Sequence, residues 1–237
     1  MRVAAIVLAA GRGERLRQGI SKPLVSLGGK PLVIHSLMAL ARHRCIASII
    51  VVVNRDNRHA IEGAIRTYRV PKIRDVVLGG SRRQDSVRRG LSAVDIHTDL
   101  VLIHDSARPF VDKDAVAAVI REAAARGAAI TAVPVKATIK QAHSRSPWGP
   151  QVQVKKTLER SGLWEAQTPQ VFQKGILLRA YDRYGNQDVT DDSALVERLG
   201  KPVGIILGSY RNIKITTPED LFLARALARR PPRKIKK

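Results

Sequence analysis

The spacing of apolar residues along the chain changes between two patterns, one typical of strands and the other of helices. Short runs of aliphatic residues without polar alternation suit strands that are covered on both faces. Such runs predict strands at residues 3–8, 49–53, 76–78, 100–103, 130–135 and 203–207. Apolar residues three or four positions apart predict helices at residues 31–42, 58–68, 83–94, 113–126, 174–184, 191–199 and 218–229. The repeated βα units indicate an α/β fold with a mainly parallel sheet flanked by helices.

Residues 136–160 interrupt this alternation. The segment is polar, contains the run Pro147-Trp148-Gly149-Pro150, and has a β-prone stretch at residues 151–157. A segment of this length without a helix is unusual inside a compact domain unless it is functional. We therefore expect an extended β-hairpin arm that leaves the body of the domain.

Three of the loops that follow predicted strands carry conspicuous polar residues. They are residues 10–17 after the first strand, 79–86 after the third and 104–109 after the fourth, and they contain glycines, a carboxylate, hydroxyls and several arginines. Ligands of open parallel sheets gather at the carboxyl ends of the strands, near the point where the strand order reverses. We expect the three loops to line one site.

The first of these loops has the composition of a phosphate cradle. Its small residues let the backbone bend and come close to a ligand: Ala9, Ala10, Gly11 and Gly13. Positively charged residues lie beside them: Arg12, Arg15, Arg17 and Lys22. Backbone N–H groups that point into one concavity, together with fixed cations, bind phosphate groups. Two better-known glycine loops do not match, because Leu16 replaces the third glycine of the dinucleotide-binding fingerprint and the P-loop ending is absent. A tight strand-to-helix turn with solvated arginines is the alternative.

Length and composition indicate one domain in a reducing compartment. The chain of 237 residues is long enough for one substantial α/β domain. We expect this domain to span residues 1–228, followed by a basic, disordered tail at residues 229–237. The lone Cys45 excludes an internal disulfide and a cysteine-based metal site. No apolar run approaches the roughly 20 residues that span a bilayer, and the first strand begins without a leader segment, so we expect a cytoplasmic protein with no membrane partner.

The chain is strongly basic. Its 42 lysines and arginines exceed the 20 acidic residues, which gives a net charge of +22. This balance attracts polyanions, whether nucleic acid, an anionic membrane or a small polyphosphate. The cations are scattered, aromatic residues make up only 4% and leave few stacking platforms, and no DNA-binding motif is present. We therefore do not expect nucleic acid to be the partner. The alternative from another class of function is a non-catalytic basic module that binds nucleic acid or an anionic membrane.

Longer segments of the sequence point to one family. They are LAAGRGERL, GGSRRQDSV, LIHDSARPFV, GLWEAQTPQVF, TDDSALVE and NIKITTPEDL. They resemble the motifs of the 2-C-methyl-D-erythritol 4-phosphate cytidylyltransferases of non-mevalonate isoprenoid synthesis, and the resemblance extends from Ala5 to about Ala228. It implies a Rossmann-like sheet with a protruding β-arm at about residues 136–160 that is used for dimerisation. It also implies a reaction in which the polyol phosphate attacks the α-phosphorus of CTP and pyrophosphate is released.

The resemblance implies one cofactor, Mg²⁺, and a set of cations. Asp105 matches the metal ligand, and a carboxylate at a strand end suits a metal that bridges phosphate oxygens. The alternative for this residue is a helix cap. The triphosphate and the pentacovalent transition state are expected to be stabilised by Arg15, Lys22 and Lys214. The histidines lack metal-ligand spacing and are expected to be structural or exposed: His35, His43, His59, His97, His104 and His143.

The resemblance also implies how the two substrates are bound. The nucleotide CTP is expected to contact Ala9, Ala10, Gly11, Gly13, Gly80 and Ser86. The polyol phosphate is expected to contact Arg108, Thr138 and Arg160, since a bidentate arginine suits a phosphate. The family places the last two on the arm of a neighbouring subunit, so a homodimer with shared active sites is expected.

One segment departs from the family's usual pattern. The family usually has Pro-Lys-Gln followed by an aromatic residue where this chain has Ser21-Lys22-Pro23-Leu24. This run resembles relatives that activate other sugar phosphates. A cytidylyltransferase for another polyol phosphate, such as ribitol 5-phosphate, is therefore the alternative within the same class.

Overall fold

A seven-stranded sheet lies at the centre of the fold. The structure is a computed structural model that describes residues 1–11, 21–143 and 152–229. Its strands are β1 (Val3–Ala9), β2 (Ser26–Leu27), β3 (Lys30–Pro31), β4 (Ile46–Val53), β5 (Ile73–Leu78), β6 (Leu100–Asp105), β7 (Ala128–Pro134), β8 (Lys140–Ala142), β9 (Val154–Thr157), β10 (Trp164–Gln173) and β11 (Gly204–Leu207). Its helices are α1 (Leu32–Ala41), α2 (Arg58–Thr67), α3 (Arg83–Ser92), α4 (Lys113–Arg126), α5 (Lys174–Tyr184), α6 (Ser193–Arg198) and α7 (Pro218–Arg229).

Several sequence predictions concern residues outside these ranges. They include Arg12, Gly13, Arg15 and Arg17 of the first loop, the run Pro147-Trp148-Gly149-Pro150 of the arm, and the predicted tail from residue 230 onward. Within the described part, helices α4, α5 and α7 have the predicted bounds, and each predicted strand has a counterpart. None of the described helices is long and apolar enough to cross a bilayer.

The order of the main sheet is β11-β7-β10-β6-β1-β4-β5. Strand β1 pairs in parallel with β4 on one side and β6 on the other, and β4–β5 and β7–β11 are also parallel. The prediction of an α/β fold with a mainly parallel sheet is confirmed. The strand order reverses around β1, so the carboxyl ends of β1 and its neighbours form the rim at which a ligand site is expected.

Strand β10 is antiparallel to both of its neighbours, β6 and β7. The apolar pattern does not predict it, because a central strand is expected to be apolar whereas β10 carries Gln167, Thr168 and Gln170 at buried positions. Its pairing with β7 also shifts register between Ala166 and Gln170. Such an irregularity breaks the period-two alternation that would mark a strand in the sequence.

The sheet is covered on both faces, as the aliphatic runs predict. Alternate residues of β1 belong to two separate cores: Val3, Ala5 and Val7 pack on the side of α1, α2 and α4, whereas Ala4 and Ile6 pack on the side of α3, α5 and α6. This alternation follows from the pleat of a strand, which turns successive side chains to opposite faces. The rim between the two cores is therefore built on rigid strand ends.

The predicted arm contains a β-hairpin. Strands β8 and β9 form an antiparallel two-stranded sheet that is separate from the main sheet. Lys140 Nζ donates to Thr157 Oγ1 at 2.6 Å, and all four residues of β9 are exposed. The antiparallel pairing expected of a hairpin is observed, and a protruding arm that is used in dimerisation stays a prediction.

Candidate active site

A pocket of about 240 Å³ opens at the carboxyl ends of the strands around β1. The loops after β1, β5 and β6 line it, and Lys22, Pro23 and Lys214 complete the wall. The prediction that the three polar loops line one site is confirmed for their described residues. The pocket therefore joins the glycine loops, several cations and one carboxylate on a single rim.

Two asparagines after β4 hold the loop after β1. Asn57 Nδ2 donates to the Ala9 carbonyl and to Ser21 Oγ, both at 2.9 Å, and Asn54 Nδ2 donates to the Ala10 carbonyl at 3.1 Å. Asn54 and Asn57 also exchange hydrogen bonds between backbone N–H and side-chain oxygen at 3.0 and 2.8 Å. The two positions that flank the loop, residues 9–10 and residue 21, are thus fixed to the same support.

The loop after β5 packs closely against the loop after β1. A Cβ on Gly79 would lie 2.6 Å from Ser86 Oγ and 2.8 Å from Ala10 Cβ, and a Cβ on Gly80 would collide with Asp85. The Gly80 N–H donates to Ser86 Oγ at 3.2 Å. Only glycine leaves enough room at these two positions, so the pocket wall is made of backbone and small side chains.

The carboxylate of Asp105 lies at the end of β6 and is held by two cations. Lys214 Nζ is 2.7 Å from its Oδ2, and Arg83 Nε is 3.7 Å from its Oδ1. Burial favours the neutral acid, but the charges of Arg83 and Lys214 outweigh it and hold the pKa of Asp105 well below its usual range. Asp105 is therefore ionised at neutral pH.

The helix-cap interpretation of Asp105 is wrong. The next helix along the chain, α4, begins at Lys113, and Asp112 caps it by accepting from the N–H groups of Asp114 and Ala115 at 2.9 Å. Asp105 instead directs its carboxylate to the pocket wall, where Lys214 meets it.

Buried polar groups fix the backbone of Asp105. Its N–H donates to Thr168 Oγ1 at 3.1 Å, and Thr168 Oγ1 lies 2.9 Å from Nδ1 of His104. His104 Nε2 is 3.1 Å from the Arg108 carbonyl, which can only accept, so Nε2 carries the hydrogen and Nδ1 accepts from Thr168. Burial lowers the pKa of His104 to about 4, in agreement with a neutral ring. The expectation that His104 is structural agrees with this arrangement.

The residues predicted for CTP and the cations mostly reach the pocket. Ala10, Gly11, Gly80 and Ser86 line it, as do Lys22, Asp105 and Lys214. Ala9 lies directly behind the wall and is buried, with its carbonyl bonded to Asn57. Arg15 and Gly13 belong to residues 12–20, outside the described part of the chain.

The residues predicted for the polyol phosphate do not line this pocket in their own chain. Arg108 is buried, and its guanidinium donates to the carbonyls of Asn212 at 2.7 Å and Ala166 at 3.4 Å. Thr138 and Arg160 are exposed on the arm, where Arg160 Nη1 donates to the Lys136 carbonyl at 2.7 Å. One chain therefore brings together most of the described residues predicted for the nucleotide, but not those predicted for the acceptor.

The donor set of the pocket suits a hard cation shared with a substrate. Among the described residues no group of three or more His, Cys, Asp and Glu side chains is arranged to hold a metal. Asp105 is the carboxylate in the described lining of the pocket. Mg²⁺ is commonly held by one or two carboxylates together with substrate phosphates and water. The residues present fit such an ion, provided that a polyphosphate supplies the other oxygens.

Comparison with known proteins settles the family. The model of the IspD family, described as 2-C-methyl-D-erythritol 4-phosphate cytidylyltransferase, matches residues 3–230. The chain belongs to this family. The chain is therefore a nucleotidyltransferase, and the family motifs identified in the sequence are confirmed.

Other IspD proteins are similar along nearly their whole length. The 2-C-methyl-D-erythritol 4-phosphate cytidylyltransferase of Shouchella clausii is 44% identical over 97% of this chain and 98% of its own, and that of Geobacillus kaustophilus is 43% identical over 96% and 97%. The crystal structure of 4-diphosphocytidyl-2C-methyl-D-erythritol synthase from Anaerococcus prevotii superposes with a TM-score of 0.82, at 33% identity over 96% of both chains. The enzyme of Thermus thermophilus has a TM-score of 0.74, at 33% identity over 97% and 100%.

The structure adds residues that the IspD motifs did not assign. Arg83 lines the pocket and Thr168 holds Asp105. They lie inside the segments GGSRRQDSV and GLWEAQTPQVF, but the resemblance implied no role for these two residues. Asn54 and Asn57 lie outside those motifs. They follow β4, the parallel neighbour of β1, so the rule that ligand loops follow parallel strands would have included them.

Proposed function

We propose that the chain transfers CMP from CTP to 2-C-methyl-D-erythritol 4-phosphate. A phosphate oxygen of the acceptor attacks the α-phosphorus of CTP, and the bond from that phosphorus to the pyrophosphate oxygen breaks. The observation that carries the proposal is the Asp105–Lys214 pair, at 2.7 Å, on the rim of a glycine-walled pocket in a chain of the IspD family.

The nucleotide is proposed to bind against the backbone wall of the pocket. The small residues Ala10, Gly11, Gly80 and Ser86 line this wall. The close packing of Gly79 on Ser86 and Ala10 leaves the wall little freedom to move outward. Such a wall favours a pyrimidine, the smaller ring system, and supplies backbone donors and acceptors for its edge.

Positive charge is proposed to carry most of the catalysis. The attacking phosphate is already ionised, so the reaction needs positioning and charge neutralisation rather than a general base. Lys22 and Lys214 line the pocket from two separate segments of the chain, and Arg15 is proposed to join them from the first loop. Because negative charge accumulates on the phosphorus oxygens in the transition state, cations that are already in place stabilise that state most.

Asp105 is proposed to hold Mg²⁺ against the triphosphate. When bound, the ion would neutralise charge on the phosphate oxygens as a Lewis acid. Asp105 is suited to this because it is ionised and its backbone is fixed by Thr168. Lys214 remains beside the same carboxylate and keeps the local charge balanced while the site is without nucleotide.

The acceptor is proposed to bind where two chains meet. Thr138 and Arg160 are exposed on the arm and do not line the pocket of their own chain. In a homodimer whose arms exchange, these residues and Arg108 would surround the polyol phosphate. The exposed apolar residues Val154 on the arm and Trp164 at its base support such an interface. A cytoplasmic location agrees with this set of substrates.

Pyrophosphate release with a panel of substrates tests the proposal. CTP, UTP, ATP and GTP are each combined with 2-C-methyl-D-erythritol 4-phosphate and with ribitol 5-phosphate. We expect turnover with CTP and the methylerythritol phosphate, and little with either purine nucleotide. Preferred turnover with ribitol 5-phosphate would overturn the proposed acceptor. The absence of pyrophosphate release with every pair would overturn the proposed reaction. The comparisons do not favour ribitol 5-phosphate or a basic binding module.

A further inference from the structure

The TDDSALVE segment carries a buried acid that the proposed reaction does not use. Asp192, just before α6, is only 1% exposed. Its Oδ2 lies 2.7 Å from Arg83 Nη1, and its Oδ1 accepts from the Tyr181 hydroxyl at 2.5 Å. A buried carboxylate costs desolvation free energy unless its partners are well placed. Each carboxylate oxygen of Asp192 therefore has a polar partner within 2.7 Å.

Arg83 connects this buried acid to the pocket. It lies in the first turn of α3 and lines the pocket, and its Nε is 3.7 Å from Oδ1 of Asp105. The guanidinium thus lies between two carboxylates, with Asp192 on the core side and Asp105 on the pocket side. Arg83 pairs with both acids, and the closer of the two ion pairs, at 2.7 Å against 3.7 Å, is the one with the buried Asp192.

The support behind Arg83 is rigid. Tyr181 lies on α5 and packs in the same core as Leu195 and Val196 of α6 and Val87 of α3. Its hydroxyl stays protonated, because burial and the charge of Asp192 both raise the pKa of Tyr181. The hydroxyl therefore donates to Asp192 and leaves the other carboxylate oxygen for Arg83.

We infer that Asp192, held by Tyr181, is a positioning residue that keeps the Arg83 guanidinium at the pocket wall and prevents it from approaching Asp105 more closely than 3.7 Å. With a neutral side chain at position 192, the nearest acid to Arg83 is Asp105, and the guanidinium is free to close the 3.7 Å separation. Asp105 would then have both cations, Arg83 and Lys214, in close contact and would be less available to the substrate complex. This inference rests on the proposed role of Asp105.

A double-mutant cycle separates positioning from a purely structural role. The variants are Asp192→Asn, Arg83→Gln and the combination of both, and kcat and KM are measured for CTP and for the acceptor. We expect each single change to lower kcat about 10-fold to 100-fold, the range found for residues that orient a ligand-binding side chain. Because Asp192 acts through Arg83, the double variant should be no worse than Arg83→Gln within about 2-fold. Losses that multiply would overturn the inference.

A milder variant covers the case in which Asp192→Asn does not fold. Tyr181→Phe removes one hydroxyl and keeps the ring in the core. We expect it to lower kcat about 3-fold in the parent and to have no effect in the Arg83→Gln background. An equal loss in both backgrounds would overturn the inference, as would an unchanged kcat in the parent. Thermal unfolding of every variant reports whether stability changes together with kcat.

The matched control is the ion pair of the neighbouring arginine. Arg82 pairs with Asp188 at 3.4 Å, and the side chain of Asp188 is 92% exposed. Asp188→Asn therefore breaks an Arg–Asp pair of the same kind at the surface, and we expect kcat to stay unchanged. A loss equal to that of Asp192→Asn would show that any nearby acid matters, which contradicts a specific role.

Asp105→Asn, assayed in parallel, separates a failure of the proposed role of Asp105 from a failure of the positioning role of Asp192. If this variant is folded and fully active, the proposed role of Asp105 fails and the inference fails with it. If it is inactive while the losses of Asp192→Asn and Arg83→Gln multiply, the inference alone fails. An inactive Asp105→Asn together with a non-additive cycle supports both.

Discussion

Mixing two inactive variants tests whether each active site is shared between two chains. Asp105→Asn removes the carboxylate of the pocket. Arg160→Ala removes an arm guanidinium that is exposed, donates to the Lys136 carbonyl at 2.7 Å and does not line the pocket of its own chain. If Arg160 serves the partner chain, a dimer with one variant of each kind combines both lesions in one site and leaves the other site intact.

The size of the recovery follows from two-fold pairing. Equal amounts of two chains that exchange at random give about half mixed dimers, and each mixed dimer has one intact site of two. Activity should therefore recover to about a quarter of the parent's. Mixed dimers purified through two different affinity tags should reach about half.

The assay is pyrophosphate release after subunit exchange, with a second mixture as the matched control. Asp105→Asn combined with Lys214→Ala places both lesions in the same pocket, since the two side chains are 2.7 Å apart. Each site of that mixed dimer carries a lesion, so no recovery is expected. Recovery in the control would refute the placement of Lys214, and no recovery in the Arg160 mixture would refute the shared site.

Three further predictions concern the pocket itself. Asp105→Asn should keep the parent's circular dichroism spectrum and lose about 100-fold or more of kcat, and EDTA should abolish turnover of the parent; a folded, active variant or an EDTA-resistant parent contradicts the metal assignment. Lys22→Ala and Lys214→Ala should lower kcat more than they raise the KM for CTP, because their contacts strengthen in the transition state; a change in KM alone would make them ground-state binders. Gly80→Ala should lower the free energy of unfolding by about 1–3 kcal/mol, because its Cβ collides with Asp85. Gly63→Ala, whose Cβ meets nothing closer than 4.0 Å, should not, and equal effects in thermal unfolding would contradict this explanation.

The parts of the fold that the sequence predicts are those in which burial alone decides the pattern. Strands β1 and β6 are buried on both faces along nearly their whole length, so an unbroken aliphatic run is sufficient to mark them. Strand β10 is also central, but Thr168 accepts a hydrogen bond from the Asp105 N–H of β6, and Gln170 donates one to Asp191. Because polar residues with distant partners interrupt the apolar run, local patterning does not distinguish such a strand from a loop.

In the site, too, the general placement is predictable from the sequence, whereas the individual contacts are not. The three loops follow strand ends, so topology alone predicts that they meet. The pairs that fix them are distant in sequence: Asn57 bonds to Ala9 over 48 positions, and Asp105 bonds to Thr168 over 63. Spacing carries no signal for such pairs. Motif resemblance marked Thr168 and Asp192 as part of the family pattern, but only the fold shows which side chain each of them supports.

The reversed direction of β10 determines at which end of the molecule the arm emerges. The chain leaves the sheet at Pro134, the last residue of β7, and returns at Trp164, which pairs with Pro134 at the start of β10. Both legs of the arm therefore stand on the edge that also carries Asp105. Had β10 run parallel to β7, the returning chain would first have had to travel the length of the strand, 10 residues or about 30 Å. The antiparallel return leaves that length of chain available to extend away from the sheet.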